Sequence, residues 1–163
     1  MGYSTYFDGE VKVTPALNEQ EVEFLRQFSE SRRMNRTTSP YYVAGSGPSG
    51  QGHEDNIIDY NTPPPGQPGL WCGWTALDEN TIGWNEEEKF YASADWMKYI
   101  IQHFIGRNPL AKAELPFLQG HVCNGQINAQ GDDSEDVWSL IVRDGKVLVQ
   151  GYISVPDGNP KEL

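Results

Sequence analysis

The stretch VWSLIVRDGKVLVQGYISV, residues 137–155, decides the fold class. Two runs rich in Val, Ile and Leu flank Asp144-Gly145. Asp-Gly suits a two-residue turn in which both positions take positive φ, so the stretch predicts a β-hairpin and hence antiparallel pairing. Immediately upstream, HVCNGQINAQ (121–130) alternates apolar and polar side chains, which predicts a strand with one buried face. Before it, a helix is expected near 94–105. Ser93 can cap it, Asp95 lies in its first turn, Gly106 stops it, and Trp96 or Met97, Ile100, Ile101 and Phe104 form its apolar stripe.

GLWCGWTALDENTIGWN (69–85) predicts a second hairpin, with Leu70–Ala76 and Thr81–Trp84 as strands and a turn at Asp78–Asn80. At the N-terminal end, YSTYFDGEVKVTP predicts a strand from Tyr3 to Thr14, bent at Asp8-Gly9 and ended by Pro15. Asn18 and Glu21 then have the spacing of a capping box for a helix over 18–31, with Val22, Leu25 and Phe28 on one face.

The order β–α–loop–β–β–α–β–β–β predicts a single α+β domain over residues 1–163: a mostly antiparallel sheet of about five to six strands, two helices packed on one face, and a long Pro/Gly-rich loop. Within that loop, residues 37–52 are expected to be mobile. NIIDYNTPPPGQPGLW (56–71) is expected to be ordered, because Ile57, Ile58 and Tyr60 can anchor it and its prolines reduce the entropy lost on folding. Residues 157–163 are expected to fray.

The formal charge is −11 and the pI about 4.6. An acidic surface repels phosphate backbones, so no direct nucleic-acid binding is expected, whereas basic partners are favoured. The apolar stretch near 94–105 is too short and too polar to span a bilayer. The opening MGYSTYFDGE lacks the basic and apolar regions of a secretion signal, so a cytoplasmic location is expected. Cys72 and Cys123 read as reduced core thiols.

Two complete catalytic signatures are absent from the sequence, GxxxxGK[ST] and HExxH. The densest chemistry is the loop His53-Glu54-Asp55 with Asp59. Neighbouring residues of an extended loop point in different directions, so His53, Asp55 and Asp59 are weak metal candidates. The simpler reading has the aspartates bonding nearby backbone amides. His121 and Cys123, two apart on a strand, share a face and allow a nucleophilic pair, against which stands an inert buried thiol. The carboxylates of Glu86-Glu87-Glu88 and of Asp132 to Asp136 read as solvated turns. Arg32, Arg33 and Arg36 are candidate nucleotide-binding residues, able to meet phosphates. Tyr60, Trp71, Trp74 and Trp84 are the candidate partner-binding residues, since so many indoles exceed what a small core seals and rigid aromatics make good interface anchors.

YSTYF…G, RRM-x-R, GQ-x-H-E-D, I-x-DYN-x-PP-x-GQPGLWC-x-W and W…EKFY…W-x-x-Y-I-I…F together resemble a family of small proteins of tailed bacteriophages and prophages, from Tyr3 to about Phe104. The resemblance implies a phage-encoded protein acting in the host cytoplasm and lends no catalytic residue or cofactor. The expected function is non-catalytic binding, with inhibition of a host defence protein through the Pro/Trp-rich surface. An acidic nucleic-acid mimic, a small-nucleotide sponge and a metal-dependent enzyme built on His53-Glu54-Asp55 are the alternatives. A second copy of the chain is a further candidate partner, and no cofactor is expected.

Overall fold

The structure, a computed structural model, describes residues 2–43, 54–151 and 161–163. It is an α+β fold. The sheet order is β4-β5-β1-β6-β7-β8-β9, where β1 is Thr5–Thr14, β4 Trp74–Ala76, β5 Thr81–Trp84, β6 Val122–Gly131, β7 Val137–Arg143, β8 Lys146–Gly151 and β9 Lys161–Glu162. Every pairing is antiparallel. Two short strands, β2 (Asn35–Arg36) and β3 (Ile57–Asp59), pair separately.

Register explains which side is buried. Val11 lies opposite Ile82 and Gly125, Gly125 opposite Val142, and Val142 opposite Val147, so one row crosses five strands, with apolar side chains on all but β6, where Gly125 stands. Alternation along β6 turns Cys123, Ile127 and Ala129 inward and Asn124, Asn128 and Gln130 outward, as a half-solvated antiparallel strand requires. Asp144 (φ 49°) and Gly145 (φ 80°) make the tight turn between β7 and β8. Gly9 bends β1 with φ 118°; any larger residue there would drive its Cβ into the Gln126 carbonyl.

Helix α1 (Glu19–Glu30) begins with the expected reciprocal cap: Glu21 N–H donates to Asn18 Oδ1 and Asn18 N–H to Glu21 Oε1. It buries Phe24, Leu25 and Phe28 in the same core as the inner row of the sheet. Helix α2 (Ser93–Ile100) has Ala92, in the left-handed region, at its N-cap, where Ser93 was the expected cap. It continues as a π turn, Ile101–Ile105, closed by the bond from Gly106 N–H to Ile101 O, 2.7 Å. The expected stripe is buried: Trp96, Met97, Ile100, Ile101 and Phe104 all lie in the core.

The ends of the two irregular segments are held. Of the loop 37–52, residues 37–43 are described: Thr37 N–H donates to Asn56 O, and Tyr41 packs on Phe104. Residues 161–163 return to the sheet, where β9 pairs with Leu148 and Val149. Residues 44–52 and 157–160 lie outside the described residues. Among the described residues, no helix is long and apolar enough to cross a membrane.

Candidate functional site

Aromatic side chains converge where β1 and β5 part company. Phe7 of β1 sits edge-on to Trp74 (centroids 5.0 Å), Trp84 (5.5 Å) and Trp138 (6.3 Å) and tilted against Phe90 (5.7 Å). β4 and β5 place Trp74 directly opposite Trp84, but their fates differ. Trp74 is 2 % exposed and its indole N–H donates to Ser93 O at 2.7 Å, so it does not reach the surface. Trp84 is half-buried, and its N–H reaches Glu87 O at 3.2 Å.

This cluster floors a cleft of about 860 Å³. That is ample for a ligand or a short peptide segment. Trp71, 38 % exposed, and Trp84 line it together with Phe7, Phe90 and Leu77, and α1 contributes Arg26, Ser29 and Glu30. Arg26 is occupied, since its guanidinium donates to Ala76 O (3.0 Å) and Leu77 O (3.2 Å). The rim is Glu86, Glu87, Glu88 and Lys89, all exposed. Its backbone is unusual: Glu86 and Lys89 have φ of 67° and 59°, and Ala92, beyond the rim at the start of α2, has 55°. Such conformations disfavour side chains with a Cβ and tend to cluster where function holds a loop in a set shape.

Tyr60 is 45 % exposed but stands apart from the cleft, with Arg32 stacked 4.1 Å over its ring. The three arginines act within the fold. Arg32 also donates to Tyr60 O. Arg33 is buried over the Phe28 ring and donates to Gln67 Oε1 (3.1 Å) and Pro40 O (2.8 Å); burial lowers its pKa to about 10. Gln67, from the PPPGQPG segment, in turn donates to Pro40 O and the Tyr99 hydroxyl. Arg36 is buried, donates to Asn56 Oδ1, lies over Tyr42 and has Glu54 at 3.9 Å. These contacts pin residues 54–67 to the segment that follows α1, with Arg33 also lying over Phe28 of the helix; they do not turn the guanidinium groups together toward solvent.

The metal candidates are not drawn together. Asp59 accepts from Asn61 N–H and the Thr62 hydroxyl, the local turn that was its simpler reading, and the Asn61 bond leads in lowering its pKa. Asp55 is exposed, and His53 lies outside the described residues. Among the described residues, no three of His, Cys, Asp and Glu are grouped as metal ligands would be. In the acidic turn between β6 and β7, Asp132 accepts from Ser4 N–H and Asp136 from the Tyr3 hydroxyl, which ties down the start of the chain.

His121 and Cys123 do not form a nucleophilic pair. Cys123 Sγ lies 3.6 Å from Ile105 O, and burial raises its pKa to about 12; burial does the same to Cys72. His121 instead engages Glu21, with Nε2 at 2.8 Å from Oε2 and Nδ1 at 2.7 Å from Pro15 O. Sequence reading missed this pair because it treated Glu21 as a cap alone. His103, on the π turn, stacks on Tyr99 at 3.9 Å and lies 2.8 Å from the Tyr41 hydroxyl; burial lowers its pKa.

Fold and cleft thus define an α+β protein with an aromatic, acid-rimmed groove beside a split in its sheet. No family model matches the chain, and neither a curated protein nor a solved structure does.

Proposed function

We propose that the protein is a non-catalytic binding protein whose cleft engages another protein. The observation that carries this reading is the pairing of Trp71 and Trp84, large rings left accessible, with a rim of carboxylates that have no internal partner among the described residues. Aromatic anchors on a rigid frame concentrate binding energy, and uncompensated charge beside them selects the partner.

The motif resemblance supports the finer statement. The chain is phage-encoded, acts in the host cytoplasm, and binds a host protein, a defence protein being the natural target, so as to inhibit it. Immobilised protein should capture a host factor from bacterial lysate. Trp71→Ala and Trp84→Ala should each weaken that capture while circular dichroism stays unchanged. Full capture by both folded variants defeats the reading.

A further inference from the structure

We propose that the cleft takes an extended, cationic polypeptide segment that adds as a strand to the open half of β1; this rests on the reading of the cleft as a protein-binding site. β1 pairs with β6 along its whole length, Thr5 to Thr14, but meets β5 only at Val11 and Lys12. Val13 N–H donates to Asn80 O on the β5 side at 2.8 Å, so the main-chain groups of alternate residues point that way. By the same alternation Phe7 and Gly9 direct their N–H and C=O groups to that side, beyond the end of the ladder. Both residues line the cleft. An unpaired strand edge is a template for another extended chain, whose backbone supplies affinity and whose side chains supply selectivity.

Charge complementarity names the occupant. Asp8, Glu86, Glu87 and Glu88 line the cleft, and among the described residues their carboxylates form no hydrogen bond or ion pair. Of the two cations in the lining, Arg26 is already spent on the carbonyls of Ala76 and Leu77, leaving Lys89 against five carboxylates, these four and Glu30. Lys or Arg side chains alternating along an incoming strand would meet those carboxylates and could lie on the faces of Trp71 and Trp84. A nucleic acid or an acidic peptide would be repelled by the same rim.

The test uses the full chain and a fluorescein-labelled Arg-Val-Arg-Val-Arg-Val peptide followed by anisotropy. A Glu-Val counterpart and a basic peptide N-methylated at alternate amides are the comparison probes. The basic peptide should bind, and the acidic one should not. The triple variant Glu86→Gln/Glu87→Gln/Glu88→Gln should lose about tenfold or more in affinity, as removal of close complementary charge does. The control Glu19→Gln/Glu23→Gln/Glu79→Gln, which removes the same charge from exposed sites outside the cleft, should change it by less than about twofold. N-methylation should abolish binding. Equal losses in the two triple variants, comparable binding of the acidic peptide, or undiminished binding of the N-methylated peptide each overturn the proposal. Capture of a host protein that is lost in Trp84→Ala, yet indifferent to the cleft triple variant and to salt, sinks this inference and leaves the cleft reading intact. Normal capture by folded Trp71→Ala and Trp84→Ala sinks the cleft reading itself.

Discussion

Glu21 and the Glu86–Glu88 run place the same functional group in opposite situations. Glu21 is wholly buried, and each of its oxygens is satisfied: Oε1 accepts from Asn18 N–H at 2.9 Å, and Oε2 from Gln119 N–H at 3.1 Å and from His121 at 2.8 Å. The imidazole has an acceptor at each nitrogen, Pro15 O and the carboxylate, so the doubly protonated ring fits the site. Burial opposes both charges, but the hydrogen bonds prevail, raising the pKa of His121 and lowering that of Glu21. On the cleft rim Glu86, Glu87 and Glu88 are exposed, lie on a backbone with left-handed non-glycine residues, and have no side-chain partner among the described residues. One region uses charge to join α1, the Pro15 loop and the start of β6. In the other, the carboxylates of Glu86, Glu87 and Glu88 make no bond within the fold among the described residues, the feature on which the proposed partner site rests.

The contrast breaks most visibly if the buried pair is removed. Glu21→Ala strands the buried imidazole together with the amides of Asn18 and Gln119, and should cost about 3–5 kcal/mol in urea denaturation. Arg33→Ala should come next. It removes charge-assisted bonds to Gln67 and Pro40, worth about 2–3 kcal/mol together. Limited proteolysis should then cut first within residues 54–70, the segment those bonds hold.

How much of this was legible beforehand depended on how far apart the partners stand in the chain. Asp144-Gly145, the Asn18/Glu21 box and the alternation of β6 are local, and their geometry follows from sequence alone. The Glu21–His121 pair spans 100 residues, so only the packing of α1 beside the start of β6 could reveal it. Likewise Trp74 and Trp84 are equivalent by strand alternation. What separates them is that Phe90 and the Ser93 carbonyl close over Trp74, a consequence of how 85–93 folds back. Strands β2 and β9, of two residues each, and β3, of three, carry too few side chains for any period to show. The arginines were visible as a charge cluster, but burial over Phe28 and Tyr42 depends on tertiary packing.

A smaller effect sharpens the comparison through pH. The Glu21 contribution exists above its ordinary value, 4.5, and disappears as pH falls through the lowered folded value. The His121 contribution exists below its ordinary value, 6.5, and disappears as pH rises through the raised folded value. Stability from the pair should therefore be greatest between those limits and decline on either side. Glu21→Gln should flatten both arms of the urea midpoint plotted against pH, whereas neutralising the cleft should leave the His121 arm in place.

The smallest expected effect on stability comes from the cleft itself. In Glu86→Gln/Glu87→Gln/Glu88→Gln no internal bond is lost among the described residues, and adjacent like charges are relieved. The urea midpoint should stay where it is or rise slightly, most clearly at low salt, where repulsion is least screened. A marked fall would mean these carboxylates support the fold after all. It would remove the distinction from Glu21 and, with it, the reason to treat their unpaired charge as reserved for another molecule.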